Sequence, residues 1–441
     1  MGRHTPNRQL NFKLFANMNS IKKLIRFSIW LLGLSCVSIQ LSMAQITIPG
    51  NVAFGSPTKG GSNGKIIRVT TLNATGPGSL HEAIETKGPR IVVFEVGGVI
   101  NLHKIGLDIT EPFLTIAGQT APYPGITIIE GGFWVNTHDI VIKHLRVRPG
   151  DAGEPKKSGW ACDGLTTSGG NAYNIIVDHC SFTWAVDENL SASGRRTEGP
   201  DSTSHKITFS NNIIAEGLND SSHEKGPHSK GGLIHDFCRD IAIVGNLYAH
   251  NEMRNPYFKA YTTGVIVNNL IYNPGRVAIQ LYYSKSEWIN ARYEPENCKV
   301  SIIGNVLYAG KDTRENMALV ASMGDAYMKD NLAYDTMGTA LPLTYGNINI
   351  LSEKPVWPTD FKPLPAKEVV GYITEHVGAR PKERDAVDKR IIQDFLDRKG
   401  KIIDSQEEVG GYPKHKQIYR KLHIPEKDIE NWLARLAYEL E

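Results

Sequence analysis

The stretch "NEMRNPYFK", residues 251 to 259, sets Arg254 beside Asn255 and Pro256, five residues before Lys259. Proline restrains the backbone and turns Asn255 away from helix, so two cations are offered from a stiff segment. By itself Arg254 reads equally well as a surface ion-pair partner. Upstream, "GPHSKGG" places His228 and Lys230 two apart, on one face if extended, with glycines that permit close approach of backbone or ligand. Alone, Lys230 reads as a solvated loop lysine. Further upstream, "WACDGLTTSGGNAYNIIVDHCSFTWAVDENLS" holds Asp163, Asp178, His179, Asp187 and Glu188. Carboxylates gathered from neighbouring turns suit a hard cation such as calcium, which takes roughly six to eight oxygens. Asp178 and His179 end a strand and read as partners of turn backbone. Asp187 and Glu188 follow a bulky "FTW" strand with no cation nearby in sequence, and read as ligands. No EF-hand spacing is present. There is also no G-x-S-x-G elbow, H-E-x-x-H pair or phosphate-cradling glycine loop, so α/β-hydrolase, zinc-protease and hydride-transfer chemistry lack their usual support.

These clusters meet only if the chain stacks one repeat on the next. Seven segments share a form of apolar residues, then Asn or His, then more apolar residues, from "IVIKHLRV" and "IIVDHCSF" to "SIIGNVLY" and "YMKDNLAY". Aligned on His144, His179, Asn212, Asn246, Asn269, Asn305 and Asn331, they step by 35, 33, 34, 23, 36 and 26 residues. An unequal period of this size describes a solenoid whose coils share a core and differ in loops. A β-propeller would show a steadier period with Trp and Gly marks, and a sandwich would show turns without a register. A parallel β-helix fits, because Asn at equivalent turns can stack into an amide ladder over a Val and Ile interior. Long insertions at Ser191 to His205, Glu216 to Gly232 and Lys285 to Asn297 should fall on one face. Beyond residue 352 the composition turns to helix formers, as in "RDAVDKRIIQDFLDRK", and these helices are expected to pack on the solenoid and close its edge.

Residues 1–44 carry Arg3, Arg8, Lys13, Lys22, Lys23 and Arg26, no acid, and an apolar run from Phe27 to Val37. This is the pattern of a secretory signal peptide, with Met18 an alternative start, and the run is short of the roughly 20 residues that span a membrane. The expected organisation is a leader at 1–44, a β-helix body at 45–351 and a helical extension at 352–441. Without the leader 43 basic residues face 46 acidic ones, a net charge of about −3, which gives no support to nucleic-acid binding. Four cysteines remain, Cys162, Cys180, Cys238 and Cys298, too few for a disulfide framework.

"GGSNGKIIRVTTLNATGPGSLHEAIETKGPRIVVFEVGGVI", "LTIAGQTAPYPGITI", "VDHCSFTWAVDENLS", "HSKGGLIH" and "RNPYFK" occur in this order. Together they resemble the pectate lyases of polysaccharide lyase family 1, over roughly residues 50 to 345. "RDAVDKRII" and "IIDSQEEVGGYP" resemble the tail of its secreted, Bacteroidetes-like bacterial members. The resemblance implies an all-β, right-handed parallel β-helix that cleaves polygalacturonate by calcium-assisted β-elimination. It further implies that Arg254 is the base and Lys230 a catalytic cation at the substrate, with Lys259 and His228 binding substrate. Asp187 would be a calcium ligand, with Glu188, Asp163 or Asp201 completing the set, because Ser191 stands where a further acid is usual. A monomer, secreted to the periplasm or medium, with no membrane span once mature, is expected. The alternatives are a β-helix hydrolase of pectic polysaccharides and a non-catalytic carbohydrate-binding solenoid. An arginine base carries a burden: holding it neutral near pH ~9.5 spans about 3 pKa units, or roughly 4 kcal/mol.

Overall fold

The computed structural model describes residues 1–2 and 53–441. The leader, with Met18 and Cys36, lies outside the described residues apart from its first two. From Lys65 onward short β-rich runs form strands that pair in parallel with the equivalent strand of the next coil. One stack runs through Val96–Asn101, Ile126–Ile129, Leu145–Arg148, Ser181–Thr183, Ile213–Ala215, Leu247–Ala249, Leu270–Tyr272, Val306–Tyr308 and Leu332–Tyr334. A second runs from Lys65–Val69 to the long strand Val320–Lys329, and a third from Leu107–Ile109 to Thr344–Ile350. Val320–Lys329 joins these two, pairing through its first residues with Ile279–Leu281 and through its last with Lys299–Ile303. The architecture is the parallel β-helix that the repeat implied.

Register is set by inward side chains. Val92, Ile116, Ile142, Val177, Phe209, Ile243, Ile266 and Ile302 occupy one row through eight coils and are all buried. Each contributes about 1.5–3 kcal/mol by leaving water, and a slip of one residue would turn the row outward.

The asparagine ladder is present at the turns. The side-chain oxygens of Asn246, Asn269, Asn305 and Asn331 accept from the amide Nδ2 of Asn212, Asn246, Asn269 and Asn305 at 3.0, 3.0, 2.9 and 3.1 Å, and from the backbone N–H of the same residues at 2.9–3.0 Å. The histidines of the repeat alignment are displaced by one. Cys180 donates its backbone N–H to Asn212 Oδ1 at 2.9 Å, so Cys180 holds the ladder position and His179 pairs with Asn211. His144, His179 and Asn211 adopt φ of 56°, 48° and 54°. Histidine and asparagine both tolerate this left-handed turn, which is why the two adjacent positions were conflated. Asn269→Ala should lower stability by about 1–3 kcal/mol for each buried partner it strands, measured as a shift in denaturant midpoint.

The three tail segments form helices Ala366–His376, Ala386–Leu396 and Ile429–Leu440. The first two cover a sheet face instead of an edge: Val369, Ile373, Ile391 and Phe395 pack on Ile213, Leu247, Leu270 and Tyr272. Strands such as "LIY" are apolar on both faces, so their outer face needs a cover. The edge at Val96–Asn101 is closed by an antiparallel strand, Ile418–Tyr419. Ionic pairs fasten the second helix. Arg146 and Arg148 point outward from their strand and are fully buried against Asp385 and Asp388. Burial pushes the Asp385 carboxyl up, but Arg148 and Arg146 outweigh it and hold it well below the usual carboxylate range. A depressed carboxylate gives stability that is present above its unfolded pKa of about 3.9 and is lost as pH falls toward the folded value. Acid unfolding should therefore begin below about pH 4, and Asp385→Asn should flatten that limb in a titration followed by circular dichroism.

Candidate active site

Three successive coils carry the cluster. Glu188 pairs in parallel with Lys230, and Lys230 with Met253, the neighbour of Arg254. Arg254 sits at φ 66°, a conformation uncommon outside glycine, and its guanidinium forms an ion pair with the Glu188 carboxylate. It also lies 5.5 Å over the ring of Tyr257. Burial pushes the arginine pKa down, opposed by the charges of Asp187 and Asp163. That direction lightens the burden on an arginine base.

Carboxylate oxygens of Asp163, Asp187 and Glu188 lie within 4.8 Å of one another. Asp163 accepts the Glu188 backbone N–H at 3.1 Å and the Thr166 hydroxyl. Burial first, then the charge of Asp187, pushes its carboxyl up to about 7. Three crowded acids, one raised by burial and by its neighbour, form an oxygen donor set that fits a hard divalent cation, with Arg254 and His228 as their partners at its edge. Burial pushes Asp187 up as well, but the hydrogen bond from His228 Nε2 at 2.9 Å and the nearby cationic groups hold it below the usual range. Lys230 is buried beside Met253, and burial, with the charge of Arg276, pushes it down to about 8.

Other residues singled out in the sequence sit differently. His228 stacks on His223, ring centroids 3.7 Å apart, and is occupied with Asp187. Lys259 is buried in ion pairs with Glu287 and, at 3.4 Å, with Asp236. Asp201 lies in the turn Pro200–Ser202, outside the acid cluster. Asp178 bonds Lys143, His179, Ser210 and Asn211, a local role as expected. The first and third insertions meet, with Arg196 of the first 2.5 Å from Glu287 of the third, while the second begins at Glu216 in an ion pair with Arg390 of the tail helix. The four cysteines are free.

A second amide network behind the cluster escaped the sequence reading. Asn189 donates to Asn251 Oδ1 at 3.3 Å and to the Lys230 carbonyl at 3.3 Å. Asn251 donates to Asn255 Oδ1 at 3.0 Å, and Asn255 to the Val277 carbonyl at 3.0 Å. Each asparagine adjoins or binds a segment bearing Glu188, Lys230 or Arg254, and so fixes their spacing. The signal lay in "DEN", "HNE" and "RNP", three asparagines beside charged groups.

No family model matches the chain. A probable pectate lyase C of Aspergillus flavus is 31% identical over 392 residues, covering 86% of this chain and 84% of the relative. The chain belongs to the pectate lyase family. A probable pectate lyase C of Aspergillus terreus is 32% identical over 380 residues, 83% of this chain and 82% of its own. Among solved structures, the cedar pollen allergen jun a 1 superposes with a TM-score of 0.53 at 18% identity, over 74% of this chain and 92% of its own. A pectate lyase bound to hexasaccharide gives 0.50 at 15% identity, over 77% and 99%. At those identities the likeness is one of fold, and it is the pectate lyase β-helix. Among the described residues no helix is long and apolar enough to cross a membrane.

Proposed function

We propose that the chain cleaves polygalacturonate by calcium-assisted β-elimination, leaving a 4,5-unsaturated sugar, with Arg254 as the base. The observation that carries the reading is Arg254 poised beside Glu188 at the edge of the Asp163, Asp187 and Glu188 cluster. The proton at carbon 5 of a uronate is not acidic while its carboxylate bears full charge. Asp163, Asp187 and Glu188 would hold calcium, and the chemistry that ion supplies when bound is neutralisation of that carboxylate. A substrate carboxylate beside Lys230 would raise its depressed pKa, and the ammonium so held adds a second positive charge that stabilises the enolate-like transition state electrostatically. Arg254 takes the proton as the bond to the oxygen at carbon 4 breaks, and its burial favours the neutral guanidine. His228 serves Asp187 in this scheme, and Lys259 lies further along the groove in its own ion pairs. A hydrolase would need two carboxyl groups about 5 to 9.5 Å apart. One oxygen from each of the three acids here lies within 4.8 Å of the others, a spacing that suits a shared cation.

The body at 45–351 would be the catalytic unit and 352–441 its cover. Secretion is read from the leader pattern, and the secreted chain would act as a monomer. Placement in the Bacteroidetes-like group rests on the tail motifs, one of which carries Asp385 and Asp388.

The test is absorbance of unsaturated product from polygalacturonate with calcium and with chelator. We expect an alkaline optimum and near-complete loss in chelator, restored by calcium. Full activity in chelator, or new reducing ends without absorbance, would remove the mechanism.

A further inference from the structure

The outer face of the third strand stack continues beyond the acid cluster. Thr166, whose hydroxyl donates to Asp163, is in register with Ser191 on one side and with Trp134 on the other. Residues in register on parallel strands share a face, and the burial agrees: Phe133 and Val135 are core, while Trp134 is 46% exposed. The same row reaches Leu233, whose N–H donates to Ser191 Oγ at 3.2 Å, and Tyr257, beneath Arg254. The row therefore runs from Tyr257 to Trp134 along the solenoid axis, four strand spacings of about 4.8 Å, and because the Arg254 guanidinium reaches back two coils to Glu188, about two spacings, or roughly 10 Å, separate it from the strand of Trp134. At its end a cavity of about 160 Å³ is lined by Trp134, Trp160, Lys104, Asp108 and Asp163. Trp160 is pinned by its Nε1 donating to the Gly150 carbonyl at 2.9 Å, with the Lys104 ammonium 6.0 Å from its ring.

We propose that Trp134 is the stacking platform of an outer subsite, binding the face of a sugar ring of a uronan chain about two residues from the bond that breaks. An exposed indole offers large, rigid apolar area to the C–H face of a ring, and no other side chain of this row is an exposed aromatic before Tyr345 at the far end. Lys104 at the rim is ion-paired with Glu154, and a ring carboxylate would compete for the same ammonium. Asp108, one strand further in the same row, sets a negative charge that ends the path for a polyanion. The inference rests on the reading of the Arg254 cleft as a uronan site, and it adds length selectivity.

The test compares digalacturonate with an octamer by calorimetric binding in calcium, on an Arg254→Gln background that keeps turnover low. Trp134→Ala should weaken octamer binding about three- to tenfold and leave dimer binding unchanged, with Trp134→Phe restoring most of the difference. Unchanged octamer binding, or an equal loss with the dimer, overturns the subsite. If the background still cleaves quickly, Arg254 is not the base, and KM for the two oligomers carries the same comparison. A wild-type protein that binds the octamer without forming unsaturated product defeats the lyase reading, while the binding difference still decides Trp134.

Discussion

Arg254→Lys should reduce turnover of polygalacturonate by about 10²–10⁴ while the melting curve stays close to that of the parent. The lysine keeps a positive charge beside Glu188, so the ion pair and local packing have a substitute. It loses the planar fork held over Tyr257, and its nitrogen hangs on a flexible stem, so the basic atom is no longer fixed near carbon 5. The left-handed backbone at this position is retained, because neither residue is favoured there over the other. Absorbance at saturating substrate, beside a thermal melt, separates chemistry from folding. A lysine variant at near wild-type rate would move the base elsewhere in the cleft.

Asp388→Ala should have the largest effect on stability, about 3–5 kcal/mol. The Asp388 carboxylate accepts from Arg148 at 2.8 Å, Arg146 at 3.2 Å and the Ser181 hydroxyl at 2.7 Å, all fully buried. Removing it leaves two arginines sharing Asp385 between them in a water-free seam, and the helix Ala386–Leu396 loses its anchor. The Arg254 cluster adjoins a different strand stack from that of Arg148, so kcat at low temperature should hold while the denaturant midpoint falls. A loss below about 1 kcal/mol would mean the helix is held by its apolar stripe alone.

The sequence made the solenoid legible because its determinants are local and repeated: an apolar row, a turn residue, an asparagine. It carried the cluster through repeat order, which brings Glu188, Lys230 and Arg254 onto consecutive coils. It failed where two residues serve the same turn, as at His179 and Cys180, since either spacing satisfies the pattern. It also failed for side chains whose role depends on a distant partner. Nothing near Lys259 announces Glu287, nothing near His228 announces its stacking on His223, and the buried arginines of "LRVR" look solvated until the tail helix is placed against them. Trp134 was invisible for the opposite reason, since one tryptophan in "FWV" reads as core until the strand's alternation is known.

The amide network of Asn189, Asn251 and Asn255 has a consequence for how activity arises during folding. It bolts segments of three coils to a carbonyl of a fourth, and a nascent chain halted before Val277 would lack that last acceptor. Catalysis should therefore emerge late, as the fourth coil seats. Loops outside the bolted segments are then free to lengthen or shrink without shifting the reacting atoms.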